Sequence, residues 1–250
     1  VSVSARYTKE LRERFGYSAT WLPTVRIGLG DVGRMVGYEF ERLGGLADFG
    51  VRFEARGCES VGTMAYASSG GVEVTVGGTA EVASGPWAAP AGVAMSIKFS
   101  REGAVWFQAE ACVVEAIEDL LALESEIVAL NEAGKWDDDL VVVTEVIRAE
   151  QGTVLVSGGA QGGIDLTTRA EVPAVGGRAG VRVTASRNIG TQVVGYGDLT
   201  PLFRAKGIRR RLLRRATLTS RLDAGAPLSQ VPEEQLPSVF LGDVDYDHFA

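Results

Sequence analysis

The sequence predicts an α+β fold: a single domain with a twisted, mostly antiparallel sheet, a long amphipathic helix at about 110–133 and a short N-terminal helix. Three observations predict it. Short alternating segments recur from about residue 50 to 200 at the spacing of hairpins, not of strand–helix–strand crossovers. Paired glycines, such as Gly70-Gly71, Gly77-Gly78 and Gly158-Gly159, punctuate them as turns. One helical pattern, AEACVVEAIEDLLALESEIVALNEAG, stands alone among them.

Along the chain, Tyr7, Leu11 and Phe15 are four residues apart within a charged stretch, so residues 1–15 read as a short helix with one apolar face, stopped by Gly16. Pro23 holds the next apolar patch extended. Gly28, Gly30 and Gly33 then spell G-x-G-x-x-G, with Glu54 about twenty residues on, the spacing of a dinucleotide fingerprint. No repeated strand–helix units follow, and Asp31 would set a negative charge beside a pyrophosphate. The expectation here is a glycine-rich turn between two elements.

Strands are predicted at SVGTMAYAS, at GGVEVTVGGTAEV through Val72, Val74 and Val76, and at VAMSIKFS and AVWFQAE joined by Arg101-Glu102-Gly103. In the predicted helix, Val113, Val114, Ile117, Leu120, Leu121, Ile127 and Val128 recur at helical spacing between acidic residues, and Gly134 marks its end. Asp137, Asp138 and Asp139 read as a solvated turn. LVVVTEVIRA and GTVLVSG read as two strands joined by Glu150-Gln151-Gly152. In the first, Val141, Val143, Glu145 and Ile147 share a face, which leaves Glu145 either exposed or helix-capping near a sheet edge, or buried and dependent on a partner. Further strands are expected at GIDLTTRAEV, GVRVTASRN and GTQVVGYGDL.

The C-terminal fifth divides by charge. Residues 1–200 form the α+β body, and 201–221 read as a basic helical segment carrying Lys206, Arg209, Arg210, Arg211, Arg214 and Arg215. Residues 222–250 are acidic and punctuated by Pro227, Pro232 and Pro237. Blocks of opposite sign this close predict that the tail folds back on the basic segment or on the body.

Composition excludes much chemistry. A net charge of −7 argues against nucleic acid as a partner. The single histidine, His248, lies near the end, so histidine-based zinc sites and a Ser–His–Asp triad are not expected. Cys58 and Cys112 make no disulfide framework, and Cys112 reads as a small buried hydrophobe. No phosphate-binding, zinc-protease or hydrolase motif is present. No enzyme, cofactor or metal is predicted, and no charge-free run is long enough for a membrane-spanning helix.

One resemblance emerges from these segments. KWDDDLVVVTEVIRAEQGTVLVS, with VVTEV at Val142–Val146, the glycine-punctuated GGVEVTVGGTAEV and the charged helix between them resemble the pore-forming N-terminal domain of the gasdermin family, bacterial members included. The resemblance implies a cytoplasmic, autoinhibited protein released by proteolysis of a C-terminal part, after which it oligomerises in membranes in antiviral defence. It implies an activating protease, anionic lipid and further copies of the chain as partners. Under it, Lys206, Arg209, Arg210, Arg211, Arg214 and Arg215 contact lipid, and the strands bearing Val72, Val74, Val76, Val141, Val143 and Ile147 insert. The basic stretch suits anionic lipid, and the alternating segments approach the roughly nine to eleven residues of a spanning strand. Two other readings stand beside it: a non-enzymatic β-rich binding or assembly protein, and a nucleotide-dependent enzyme using the Gly28–Gly33 turn.

Overall fold

The computed structural model describes residues 2–21, 25–77, 79–81, 94–169, 180–210 and 239–244. It is a single α+β domain with two antiparallel sheets and two α-helices among the described residues.

The larger sheet is built on four long strands in the order β4–β8–β9–β12: β4 (Ala55–Ala67), β8 (Val105–Ile117), β9 (Val141–Ser157) and β12 (Ile189–Arg210). All three pairings are antiparallel. Shorter strands extend it. β2 (Asp31–Val36) pairs with β9 and with β3 (Glu39–Gly45), while β1 (Ser18–Ala19) and β13 (Val239–Asp243) pair with β12. The smaller sheet holds β5 (Val72–Val76), β6 (Thr79–Glu81), β7 (Ala94–Phe99), β10 (Gly162–Arg169) and β11 (Gly180–Arg187) in the order β11–β10–β7–β5–β6. Its strands come from the excursions between β4 and β8 and between β9 and β12. The two excursions meet where β7 pairs with β10.

Helix α1 (Val3–Phe15) forms for the reasons its sequence supplies. The Ser2 side chain caps its N-terminus on the Ala5 amide, and Gly16, at φ 72°, closes its C-terminus with an N–H to the Arg12 carbonyl. Tyr7 and Leu11 are fully buried and Phe15 packs beside them, against Phe107, Ala109, Val154 and Leu202. Helix α2 (Leu120–Glu132) starts at Asp119, whose carboxylate accepts from the amides of Leu121 and Ala122 at 3.1 and 2.9 Å. It buries Leu123 and Ile127 against Trp136, Val142 and Leu46. Gly134, at φ 69°, lies just past its end, as expected.

Three predicted elements are corrected. The helix starts at Leu120, not 110, because residues 110–117 are the end of β8, paired with β4 on one side and β9 on the other. Residues 201–210, expected as a basic helix, are strand, with β9 and β13 as partners. Residues 211–221, the rest of that predicted helix, lie outside the described residues. LVVVTEVIRA and GTVLVSG form one continuous strand, β9, instead of two joined by a turn. In each case pairing with neighbouring strands supplies backbone partners that local pattern does not anticipate.

Candidate functional site

The basic stretch meets the acidic tail on β12. Lys206 Nζ lies 3.0 Å from Asp243 Oδ1, and Arg209 donates from Nε and Nη2 to the Asp243 carbonyl at 3.3 and 2.9 Å. Arg210 turns the other way, with Nε and Nη2 each 3.0 Å from the Asp138 carboxylate and Nη2 3.3 Å from Asn131 at the end of α2. The Arg210 guanidinium holds Asp138 below the ordinary aspartate range, helped by the Asn131 amide. The acidic run at 137–139 is therefore a set of cation acceptors, with Arg34 reaching Asp137 at 3.3 Å and Asp139 at 2.7 Å.

These pairs are largely exposed, and exposed ion pairs contribute roughly 0–1 kcal/mol each. The hold on β13 comes from elsewhere. Its ladder to β12 runs from Lys206↔Asp243 to Arg210↔Val239. Leu241 and Val244 are 5% and 3% exposed, beside Ile208 and Phe203 respectively. Full burial of such side chains is worth about 1.5–3 kcal/mol each as an upper bound. The charges set register, and the apolar anchors hold the strand.

A second cluster fastens α1 to the same region. The Tyr17 hydroxyl donates to Glu145 on β9, and Arg204 on β12 stacks over the Tyr17 ring at 4.1 Å. Arg204 reaches Glu145 at 3.4 Å and the Gly16 carbonyl at 3.2 Å, while Arg12 donates to the Val244 carbonyl. Burial, then the bond to Glu145, pushes the Tyr17 phenol up to about 12. Glu145, its side chain 19% exposed, is thus the partner-dependent carboxylate of the two expectations.

The proposed lipid contacts Lys206, Arg209 and Arg210 sit together near the end of β12, each with a protein partner. Arg211, Arg214 and Arg215 lie outside the described residues. The proposed inserting residues divide between sheets. Val72, Val74 and Val76 are on β5, with Val74 fully buried, whereas Val141, Val143 and Ile147 are buried on β9. Sequence reasoning missed Arg12, Glu145 as a bonded latch, and Tyr17. Each is an ordinary surface-type residue in its own segment, and only the meeting of α1, β9 and β12 gives it a role.

The Gly28–Gly33 stretch enters strand β2, not a helix, so no helix N-terminus faces it. Asp31 occupies the turn, accepting from the Gly28 amide at 2.8 Å and from Arg42 Nε at 2.8 Å. Gly33 is required by strand packing: a Cβ there would come within 2.1 Å of the Glu41 carbonyl oxygen. Cys112 is buried in β8, and burial raises its thiol to about 11, while Cys58 is exposed on β4. A groove of about 750 Å³ crosses the small sheet over Ser96, Lys98, Gly163 and Asp165, with Lys98 and Glu73 4.0 Å apart. Among the described residues no cluster of His, Cys, Asp or Glu is placed to hold a metal, and no helix is long and apolar enough to cross a membrane. Compared with known proteins, the chain matches no family model and no curated protein.

Proposed function

We propose that the protein is a latent pore-former, activated by proteolysis in its C-terminal part and assembling with further copies of itself in membranes containing anionic lipid. The observation that carries this reading is the four-strand unit β4–β8–β9–β12. Its strands are 13, 13, 17 and 22 residues long, above the roughly nine to eleven a spanning strand needs. Open sheet edges are intolerable in lipid, so a β pore must close. With an even number of antiparallel strands, β4 of one copy would lie antiparallel to β12 of the next, and the ring can close without a parallel joint.

The edges of the unit fit such an assembly. Among the described residues β4 has no strand on its outer side, and residues 55–63 are exposed. The outer side of β12 carries β1 and β13. Removing the segment that bears β13 would bare that edge over residues 206–210 and, with it, Lys206 and Arg209, a cationic pair suited to anionic headgroups. No cofactor or enzymatic step enters the reading.

The test is dye release from liposomes rich in phosphatidylserine. Protein with a protease site inserted between 211 and 238 is compared before and after cleavage. Leakage only after cleavage is expected, weaker with neutral lipid and weaker for Lys206→Glu with Arg209→Glu. Equal, negligible release from intact and cut protein would overturn the reading. A second reading, a non-enzymatic binding or assembly protein, is favoured by the same open edge on β4, which offers a template for strand addition. It expects a stable complex of intact protein and no leakage.

A further inference from the structure

The four long strands share an irregularity at one level. In β4, Gly62 has φ 75° and the pairing with β8 shifts register on both sides of it. Directly across, Ala111 of β8 has φ 52° and Cys112 is the partner of Gly62. The β8–β9 ladder then lapses between Glu110↔Gln151 and Val113↔Arg148. On β12, Gly197 at φ 72° and Asp198 at φ 49° sit between Tyr196↔Gln151 and Leu199↔Ala149, where the register slips again. Two of the four non-glycine residues with positive φ among the described residues lie on this line.

The pleat changes phase along it. The core cluster under α1 takes Val105, Phe107 and Ala109 from β8 before the line, then Cys112 and Val114 beyond it. From β9 it takes Ile147 and Ala149, then Val154 and Val156. Odd positions face the core on one side and even positions on the other. A strand alternates strictly, so each of these must gain a residue at the line to keep its apolar face inward. Independent defects have no reason to align across neighbouring strands.

We infer that this line is a hinge across the sheet, separating a root half from a distal half continuous with the small sheet, and that α1 is the bolt that holds it shut. Helix α1 is fastened on both sides. On the distal side Glu10 accepts from the hydroxyls of Ser68 and Tyr66 and lies 3.7 Å from Arg101, and Arg6 donates to the Glu102 carbonyl at 2.9 Å. On the root side the helix end is held by Arg204 and Glu145, through Gly16 and Tyr17. On the root side of the line Arg148 reaches Glu115 at 3.3 Å and Thr200 at 3.0 Å, and it lies 4.0 Å from Asp198 on the line itself. The left-handed backbone of Ala111 and Asp198 is sparsely populated by non-glycine residues, and it falls where regular pairing is interrupted. The inference does not depend on the pore-forming reading.

Native-state hydrogen exchange of the intact chain tests it. Amides of 64–67, 105–109, 153–157 and 191–196 are expected to exchange together through an opening that leaves 141–147 and 202–208 protected. Glu10→Gln should speed exchange of the distal set by roughly tenfold, the worth of charged hydrogen bonds lost on one side only, and leave the root set unchanged. Glu13→Gln, at an exposed position of the same helix, should change neither set. Both halves of the intact chain exchanging through one common opening would overturn the hinge. Glu10→Gln accelerating both sets equally, or neither, would overturn the bolt.

Discussion

Single side chains carry the contacts that join distant segments. Tyr17 and Tyr66 illustrate the electrostatic consequence. Burial is the larger cause that raises both phenols to about 12, with Glu145 acting on the first and Glu10 on the second. A phenol raised in the folded state adds stability that is fully present below its unfolded value near 10. That stability is lost as pH climbs through about 12. Stability should therefore fall between about pH 10 and 12, and Tyr17→Phe should flatten part of the fall, as read by urea unfolding at stepped pH. An unchanged slope in the variant would contradict the burial and bonding of the Tyr17 hydroxyl. Among core residues Phe107 stands out, fully buried and in edge contact with both Tyr7 and Phe15. Phe107→Ala should cost about 3–5 kcal/mol in the same assay.

Elements are held by caps and by pairing more than by propensity. Helix α2 has little besides Leu123 and Ile127 to bury, and Leu121 is 79% exposed. Its N-terminal amides depend on Asp119. Asp119→Ala should therefore lower stability by about 1 kcal/mol, with Asp119→Ser recovering most of the loss. The misplaced start of this helix has a physical explanation. Val113, Val114 and Ile117 read as the start of a helical stripe, and the phase change of β8 at Ala111 breaks the period of two that would have marked one strand through 105–117. A bulge inside a buried strand imitates a helical stripe when read from sequence. Glu150-Gln151-Gly152 misleads in another way: it has the composition of a turn, yet Gln151 and Gly152 pair with both β8 and β12, and only Glu150 falls where the ladder to β8 lapses.

At the scale of the molecule, the pairings join segments far apart in sequence. Ser18 pairs with Phe203, Val32 with Val142 and Lys206 with Asp243. Long loops must close before such contacts form, so refolding is expected in the millisecond-to-second range or slower, measured by stopped-flow tryptophan fluorescence. Microsecond refolding would mean that the long-range sheet is not what limits the rate. The same architecture concentrates the functional proposals. Four long strands form one sheet with β4 open along one side among the described residues, and the opposite side carries β13.

What the amino-acid order determined by itself is the class of fold and many of its parts. The α+β class, α1 with its Tyr7–Leu11–Phe15 face, the glycine ending α2 and most strand segments follow from periods, caps and turn residues, all of which act over a few neighbours. Opposite charge blocks also led to the expectation that the tail returns to the basic segment or the body, and among the described residues 239–243 pair with 206–210. Tertiary structure alone decided that 201–210 is strand, that β9 runs unbroken and that Glu145, Tyr17 and Arg204 form one latch. It alone aligned Gly62, Ala111 and Asp198 on a single line. The reason is that backbone groups in a sheet are satisfied by partners far away in sequence. Local pattern says which residues are able to pair, and the neighbouring strands decide which do, and in what register.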